Sequence, residues 1–97
     1  MFLKISPSDA HLFEPAMLRL RSVVDRLDGA SDLRFGPNAD FEKSTPDYTH
    51  GFIIQFNTAD DLAVYATDAE HQAIGADLVA MSAGGKDGIS VFDLVTD

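Results

Sequence analysis

The 97-residue sequence contains no cysteine, which excludes disulfide bonds, a thiolate metal site and a cysteine nucleophile. Basic residues are also few, with seven Lys and Arg against 16 Asp and Glu, for a net charge of −9. Nucleic acid is therefore not expected as a partner, because its binding depends on cations that displace counterions from phosphates. No apolar run approaches the roughly 20 residues that span a membrane. We expect no membrane partner and a cytoplasmic location.

Metal and phosphate sites lack support as well. The histidines His11, His50 and His71 lie 39 and 21 residues apart, and none has a second ligand at a familiar spacing, so we predict no metal site. The glycine-rich stretch 84–88 leads into a predicted strand rather than a helix, unlike a phosphate-binding loop. A serine nucleophile elbow is absent too. These absences argue against the commonest hydrolase and nucleotide-binding classes.

Strand and helix patterns alternate along the chain, whose 45% hydrophobic content suits one small domain over residues 1–97. The order is strand, helix, strand, strand, helix, strand, which is typical of the ferredoxin-like fold. This predicts an α+β protomer with a four-stranded antiparallel sheet and helices on one face. The predicted strands cover 2–5, 33–35, 48–56 and 89–95, and the predicted helices cover 9–27, 58–65 and 68–82.

The helix boundaries rest on proline and on capping boxes. Pro15 conflicts with a helix that starts at Asp9, so this helix either begins near Glu14 or bends at Pro15. The later helices each follow a threonine with an acidic residue three positions on, and we predict caps at Thr58 and Thr67.

Apolar residues on both faces of the third strand predict a homodimer. Phe52 and Ile54 point to one side of this strand, and Ile53 points to the other. Two helices cover only one face of a four-stranded sheet. We therefore expect a second copy of the chain to cover the other face, sheet against sheet.

The candidate site lies around the last helix, where the helical period places His71 on the stripe that faces the sheet, together with Ile74 and Gly75. The positive field at the helix start disfavours the imidazolium form of His71. Gly75 leaves room for a small cavity between helix and sheet, and Tyr65 across the helix break adds a phenol. A neutral histidine with a tyrosine suits proton transfer on a ketone or phenol-like substrate.

Structural roles compete with this interpretation. An inward histidine at a helix start often satisfies only a neighbouring carbonyl, and an aromatic residue at helical spacing, such as Tyr65, usually packs in a core. His50, on the more apolar face of its strand, is interpreted as structural. Two hypotheses remain open: a small-molecule site, and a non-enzymatic assembly module with a closed interior.

The segments Tyr48-Thr49-His50-Gly51-Phe52, Asp61-Leu62-Ala63-Val64-Tyr65 and Val91-Phe92-Asp93, together with Phe56 and His71, resemble the stress-responsive dimeric α/β-barrel (Dabb) domain. The resemblance covers nearly the whole chain. It implies a ferredoxin-like protomer whose sheet packs on that of its twin to form a barrel. The family includes plant heat-stable stress proteins and a plant polyketide cyclase that closes olivetolic acid without a cofactor. A third hypothesis, that the chain is related to heme-handling proteins or cofactorless oxygenases with the same barrel, rests on fold analogy alone.

The resemblance to that cyclase also implies site residues. Tyr65 and His71 match its pocket tyrosine and catalytic histidine, Gly75 matches a pocket glycine, and His50 matches a strand histidine. Leu20 stands where another pocket tyrosine is found. We therefore expect Leu20, His50, Ile74 and Gly75 to contact the ligand, and we expect no cofactor. Residues 1–4 resemble the middle of the family's first strand, and the histidine that this strand often carries in the family is not among them.

Overall fold

The computed structural model describes residues 1–96 of the chain. Short 3₁₀ segments, Pro7–Leu12 and Gly85–Gly88, precede α1 and β4. The strands and helices are β1 (Phe2–Leu3), α1 (Phe13–Arg26), β2 (Ala30–Pro37), β3 (His50–Phe56), α2 (Ala59–Thr67), α3 (Ala69–Met81) and β4 (Ile89–Ser90).

The four strands form one antiparallel sheet in the order β2-β3-β1-β4, which confirms the predicted ferredoxin-like fold. The helices cover one face of this sheet, and Phe52 of β3 is buried beneath them. The neighbouring Ile53 points to the opposite face and is 64% exposed. We call this uncovered side the outer face.

Helix α1 begins at Phe13, which places Pro15 in its first turn, as one of the two predicted arrangements requires. A proline is tolerated there because the first N–H groups of a helix have no intrahelical partner. Downstream of Pro15, the helix buries one apolar stripe against the sheet and α3. The stripe consists of Ala16, Met17, Leu20, Val23 and Val24.

The caps of the two later helices differ from each other. Thr58 caps α2 as predicted, since its Oγ1 accepts the N–H of Asp61 at 3.1 Å. The predicted cap at Thr67 is wrong: Asp68 caps α3 by accepting the N–H of His71 at 3.0 Å. The hydroxyl of Thr67 instead donates to carbonyls of the last turn of α2, at 3.1 Å. Thr67 therefore ends one helix rather than starting the next.

All four strands also differ in length from their predictions. β3 begins at His50 rather than Tyr48. β1 stops at Leu3, and Ile5 keeps only an isolated bridge to Ser82. β2 is longer than 33–35 because a register shift between Ser31 and Arg34 lets pairing continue to Ala30. Asp32 adopts a φ of 55° within this irregularity, a conformation that aspartate tolerates better than most residues. β4 ends at Ser90, and the rest of the predicted strand 89–95 is unpaired within residues 1–96.

The core lies between the sheet and the pair α1 and α3. Its most deeply buried side chains are Leu3, Met17, Leu20, Val23 and Ile74. No helix within residues 1–96 is long and apolar enough to cross a membrane. The cytoplasmic location stays a prediction.

Candidate functional site

Tyr65 and His71 meet at the break between α2 and α3. Tyr65 lies near the end of α2, is 7% exposed, and packs against Phe56 of β3 with ring centroids 5.0 Å apart. His71 lies in the first turn of α3. Because Asp68 is extended and interrupts the helices, the two rings come together, with centroids 3.9 Å apart and planes inclined by 39°. The pairing predicted from the sequence is thus present geometrically.

Asp68 holds the backbone at this point. Oδ2 of Asp68 accepts the N–H of His71 and a hydrogen bond from Nη2 of Arg26 of α1, each at 3.0 Å, and Oδ1 lies 2.9 Å from Nη1 of the same guanidinium. These hydrogen bonds lower the pKa of Asp68 to about 2, with the guanidinium of Arg26 as the largest cause. The first turn of α3, which carries His71, is therefore tied to the end of α1.

Burial sets the protonation of the two site groups. Desolvation lowers the pKa of His71, against smaller opposing effects of the Ala66 carbonyl and the Asp68 charge. Desolvation also raises the pKa of Tyr65, so its phenol stays protonated at neutral pH. The Nδ1 atom of His71 is buried and has no hydrogen-bond partner among residues 1–96. A neutral imidazole thus lies against a neutral phenol, with one ring nitrogen unused.

Gly75 lies one turn after His71 on α3. A Cβ built at this glycine meets no atom within 4 Å, so the space beside this part of the helix is open. Ile74 and Leu20, by contrast, are 0% and 1% exposed and belong to the packed core. Gly75 therefore borders open space one turn beyond His71, while Ile74 and Leu20 are core residues.

His50 stands apart from this pair. It begins β3, whereas Phe56, the neighbour of Tyr65, ends the same strand six residues on, roughly 20 Å away. The Nδ1 atom of His50 lies 2.8 Å from Thr49 Oγ1, its ring packs on Phe13 at 4.6 Å between centroids, and burial lowers its pKa. His50 thus has its own packing partner at the other end of the strand.

Two clefts lie elsewhere on the protomer. One of about 410 Å³ lies between α1 and α3, near Arg19 and Asp77. The other, of about 740 Å³, lies on the outer face beneath residues 38–45. Neither is lined by Tyr65 or His71. Among residues 1–96, no three potential metal ligands gather in one place.

Sequence reasoning missed two residues of this site. Asp68 carries a recognisable signal, an acidic side chain three residues before His71 at a helix start, but the adjacent Thr67 offered the same signal. Arg26 carries none, because its contact with Asp68 joins residues 42 positions apart. Only the packing of α1 beside α3 brings this pair together.

Comparisons with known proteins agree with this architecture. The family model of the stress responsive A/B barrel domain, Dabb, matches residues 6–95. A crystal structure of a dimeric ferredoxin-like protein of unknown function from Jannaschia sp. CCS1 superposes with a TM-score of 0.93 at 35% sequence identity, covering 98% of this chain and 93% of that one. Comparison with curated proteins gives no match. The chain belongs to the stress-responsive A/B barrel (Dabb) domain family.

Proposed function

We propose that the protein is a homodimer that binds a small apolar or aromatic molecule beside Tyr65 and His71, and that His71 exchanges a proton with this molecule. The observation that carries the proposal is the buried Nδ1 atom of His71, which has no partner among residues 1–96. Leaving a buried polar atom unpaired costs about 1–3 kcal/mol. A ligand with a complementary polar group would remove this cost.

A purely structural histidine would be expected to look different. Such a residue is retained because its ring nitrogens satisfy neighbouring groups, as His50 does with Thr49. The Ala66 carbonyl acts on the ring of His71 only enough to offset part of the effect of burial on its pKa, and Nδ1 has no hydrogen bond of good geometry among residues 1–96. Gly75, one turn further along α3, borders open space. This contrast between the two histidines of one chain favours His71 as the functional one.

The chemistry follows from the two protonation states. A neutral imidazole accepts a proton from an acidic C–H or O–H group, and a protonated phenol donates a hydrogen bond to the oxygen on which charge develops. In this proposal His71 takes the proton from the bound molecule and returns it to the product, and Tyr65 supplies the hydrogen bond. The substrate class is a ketone or a phenol, with the apolar surroundings of Phe56 to hold its ring.

The homodimer is supported by the outer face of the sheet. Phe2, Ile53 and Phe92 are 45%, 64% and 68% exposed, although large apolar side chains of a stable small protein are usually buried. The Jannaschia protein, at 35% identity, is described as dimeric. We propose that a second copy covers this face.

A second candidate is a non-enzymatic assembly protein. The observation that favours it is the tight packing of the site: Tyr65 is almost fully buried, and the two clefts described above lie elsewhere. In this case the pair would only stabilise the junction of α2 and α3.

A binding experiment distinguishes the two candidates. 1-Naphthol, a small aromatic alcohol, is titrated into the wild-type protein while backbone amide resonances are followed by NMR. We expect saturable shifts around Tyr65, His71 and Gly75, at least 10-fold weaker binding in His71→Ala, and unchanged binding in the control His50→Ala. Equal binding by His71→Ala, with a lowered melting temperature, would assign His71 a structural role. Absence of saturable shifts in the wild type would favour the assembly protein.

A further inference from the structure

Two ion pairs connect α1 to α3 at different positions along the helices. Arg26 pairs with Asp68 at 2.9 Å, and Arg19 pairs with Asp77 at 2.6 Å. From the first pair to the second, the residue number falls from 26 to 19 on α1 and rises from 68 to 77 on α3, so the two helices run antiparallel. The start of α1 therefore lies beside the end of α3.

A cleft of about 410 Å³ lies at this place, beside the Arg19–Asp77 pair. Two small residues, Ala16 of α1 and Ala80 of α3, line the cleft where larger side chains would fill the space between the helices. Ala16 is buried and Ala80 is exposed, so Ala16 belongs to the floor of the cleft and Ala80 to its rim. We call this space the interhelical cleft.

The lining of the interhelical cleft is mostly apolar. Its apolar members are Leu12, Pro15, Ala16, Ala80 and Met81. Among residues 1–96, no aromatic side chain lines the cleft, so it offers a hydrocarbon surface rather than the aromatic cage that holds quaternary ammonium groups. Its volume falls in the range of about 300–1,000 Å³ that is typical of small-molecule sites. An aliphatic chain of several carbons suits this surface.

The unpaired charge of the interhelical cleft is the carboxylate of Asp9. This residue lies in the 3₁₀ segment before α1 and takes part in neither of the two ion pairs formed within residues 1–96. The guanidinium of Arg19, by contrast, is neutralised by Asp77. The charged lining residues are thus two carboxylates and one guanidinium, and the net charge of −9 on the chain adds a field of the same sign. The cleft attracts a cation and repels an anion.

We propose that the interhelical cleft binds a primary alkylammonium ion, with the ammonium group at Asp9 and the hydrocarbon chain along Ala16, Ala80 and Met81. An ammonium group has three N–H donors, and a carboxylate accepts them in charge-assisted hydrogen bonds. Burial of the chain adds affinity for each methylene group that leaves water. This cleft shares no residue with the candidate site described above, so the inference is independent of the proposed function.

A chain-length series tests the use of the apolar lining. Propyl-, butyl- and hexylammonium chloride are titrated into the wild-type protein at constant ionic strength while backbone amide resonances are followed by NMR. We expect saturable shifts at Leu12, Ala16 and Ala80, and an affinity that rises about 2–4-fold for each added methylene. Equal affinities of the propyl and hexyl ions would overturn the proposal. Saturable shifts centred elsewhere, or none at all, would overturn it too.

Uncharged and anionic analogues test the role of Asp9. We expect hexylammonium to bind roughly 10-fold more tightly than 1-hexanol, and hexanoate to give no saturable shifts. Asp9→Asn should weaken the binding of hexylammonium roughly 10-fold, whereas the control Asp25→Asn, at an exposed acid near the end of α1, should leave it unchanged. Equal binding of 1-hexanol and hexylammonium, or equal effects of the two substitutions, would show that Asp9 does not hold the ammonium group.

Filling the cleft tests where the hydrocarbon chain lies. Because Ala80 is exposed, a leucine at this position extends into the cleft without entering the core. Ala80→Leu should weaken the binding of hexylammonium roughly 10-fold, since it occupies the space of the chain. Ala76→Leu, at an exposed position one turn earlier on α3 and outside the lining, is the matched control and should bind as the wild type does. Wild-type affinity in a folded Ala80→Leu protein would overturn the proposal, and circular dichroism verifies the fold.

Discussion

The imidazole of His71 packs against the phenol ring of Tyr65, with ring centroids 3.9 Å apart, across a break between two helices. A continuous helix would separate residues six apart by about 120° around its axis and by about 9 Å along it, since each residue turns the helix by about 100° and advances it by about 1.5 Å. The extended Asp68 between α2 and α3 removes this constraint. The pair therefore depends on the break, and the break depends on the cap that Asp68 supplies.

Acid titration should reveal the buried state of His71. Burial lowers the pKa of His71 and of His50 below 6.5 in the folded protein, so the unfolded chain binds protons first as the pH falls. Stability is therefore expected to decrease as the pH falls below 6.5 and to be unaffected by these groups above it. His71→Gln should reduce this decrease. Urea unfolding at pH 8.0, 6.5 and 5.5 measures this loss of stability. A His71 ring resonance that titrates with a midpoint at or above pH 6.5 would contradict the lowered pKa.

The replacement of Asp68 should destabilise the protein more through the cap than through the ion pair. Asp68→Ala removes the acceptor of the His71 N–H together with the hydrogen bond and the ion pair to Arg26, whereas Asp68→Asn keeps a capping oxygen. We expect both variants to lower the melting temperature, Asp68→Ala by more than Asp68→Asn. Because the pKa of Asp68 is lowered to about 2, its contribution is present above pH 3.8 and is lost as the pH falls towards 2. Thr58→Ala, at the cap of α2, serves as the comparison and should cost about 1 kcal/mol.

An equal melting temperature for Asp68→Ala and the wild type would show that the cap is dispensable. If Arg26→Ala destabilises the protein as much as Asp68→Ala, the ion pair rather than the cap is the main contribution. Both outcomes are read from the same thermal scans.

The sequence predicted the order of elements well because the apolar periods of α1 and β3 are unambiguous. It also placed Tyr65, His71 and Gly75 in one region, since helix spacing and the break at Asp68 are local features. It failed where a hydrogen bond decides between neighbours, as at Thr67 and Asp68. It predicted a longer β4 because Val91 and Phe92 favour strands, but pairing needs a neighbouring strand, which local pattern does not report.

Gly75→Ala should stabilise the protein while filling the space beside His71. A Cβ at this position meets no atom within 4 Å, and alanine is favoured over glycine inside a helix by about 1 kcal/mol. Urea unfolding should therefore show a gain of about 0.5–1 kcal/mol. Gly29→Ala is the contrasting variant, because its Cβ would fall on the side chain of Asp61 and should cost about 1–3 kcal/mol. Destabilisation by Gly75→Ala would show that the space is needed by the packed protein itself.

Substitution of Leu20 or Ile74 distinguishes a residue that contacts the ligand from one that only packs in the core. Both were expected to contact the ligand, and the structure buries them to 1% and 0% exposure in the core. Leu20→Ala and Ile74→Ala should each lower the free energy of unfolding by about 2–5 kcal/mol, because each leaves a cavity in close-packed surroundings. Leu18→Ala, on the exposed side of α1, should change it by about 0.5 kcal/mol or less. A small loss in either core variant, together with weakened binding of 1-naphthol, would instead assign that residue to the wall of the binding site.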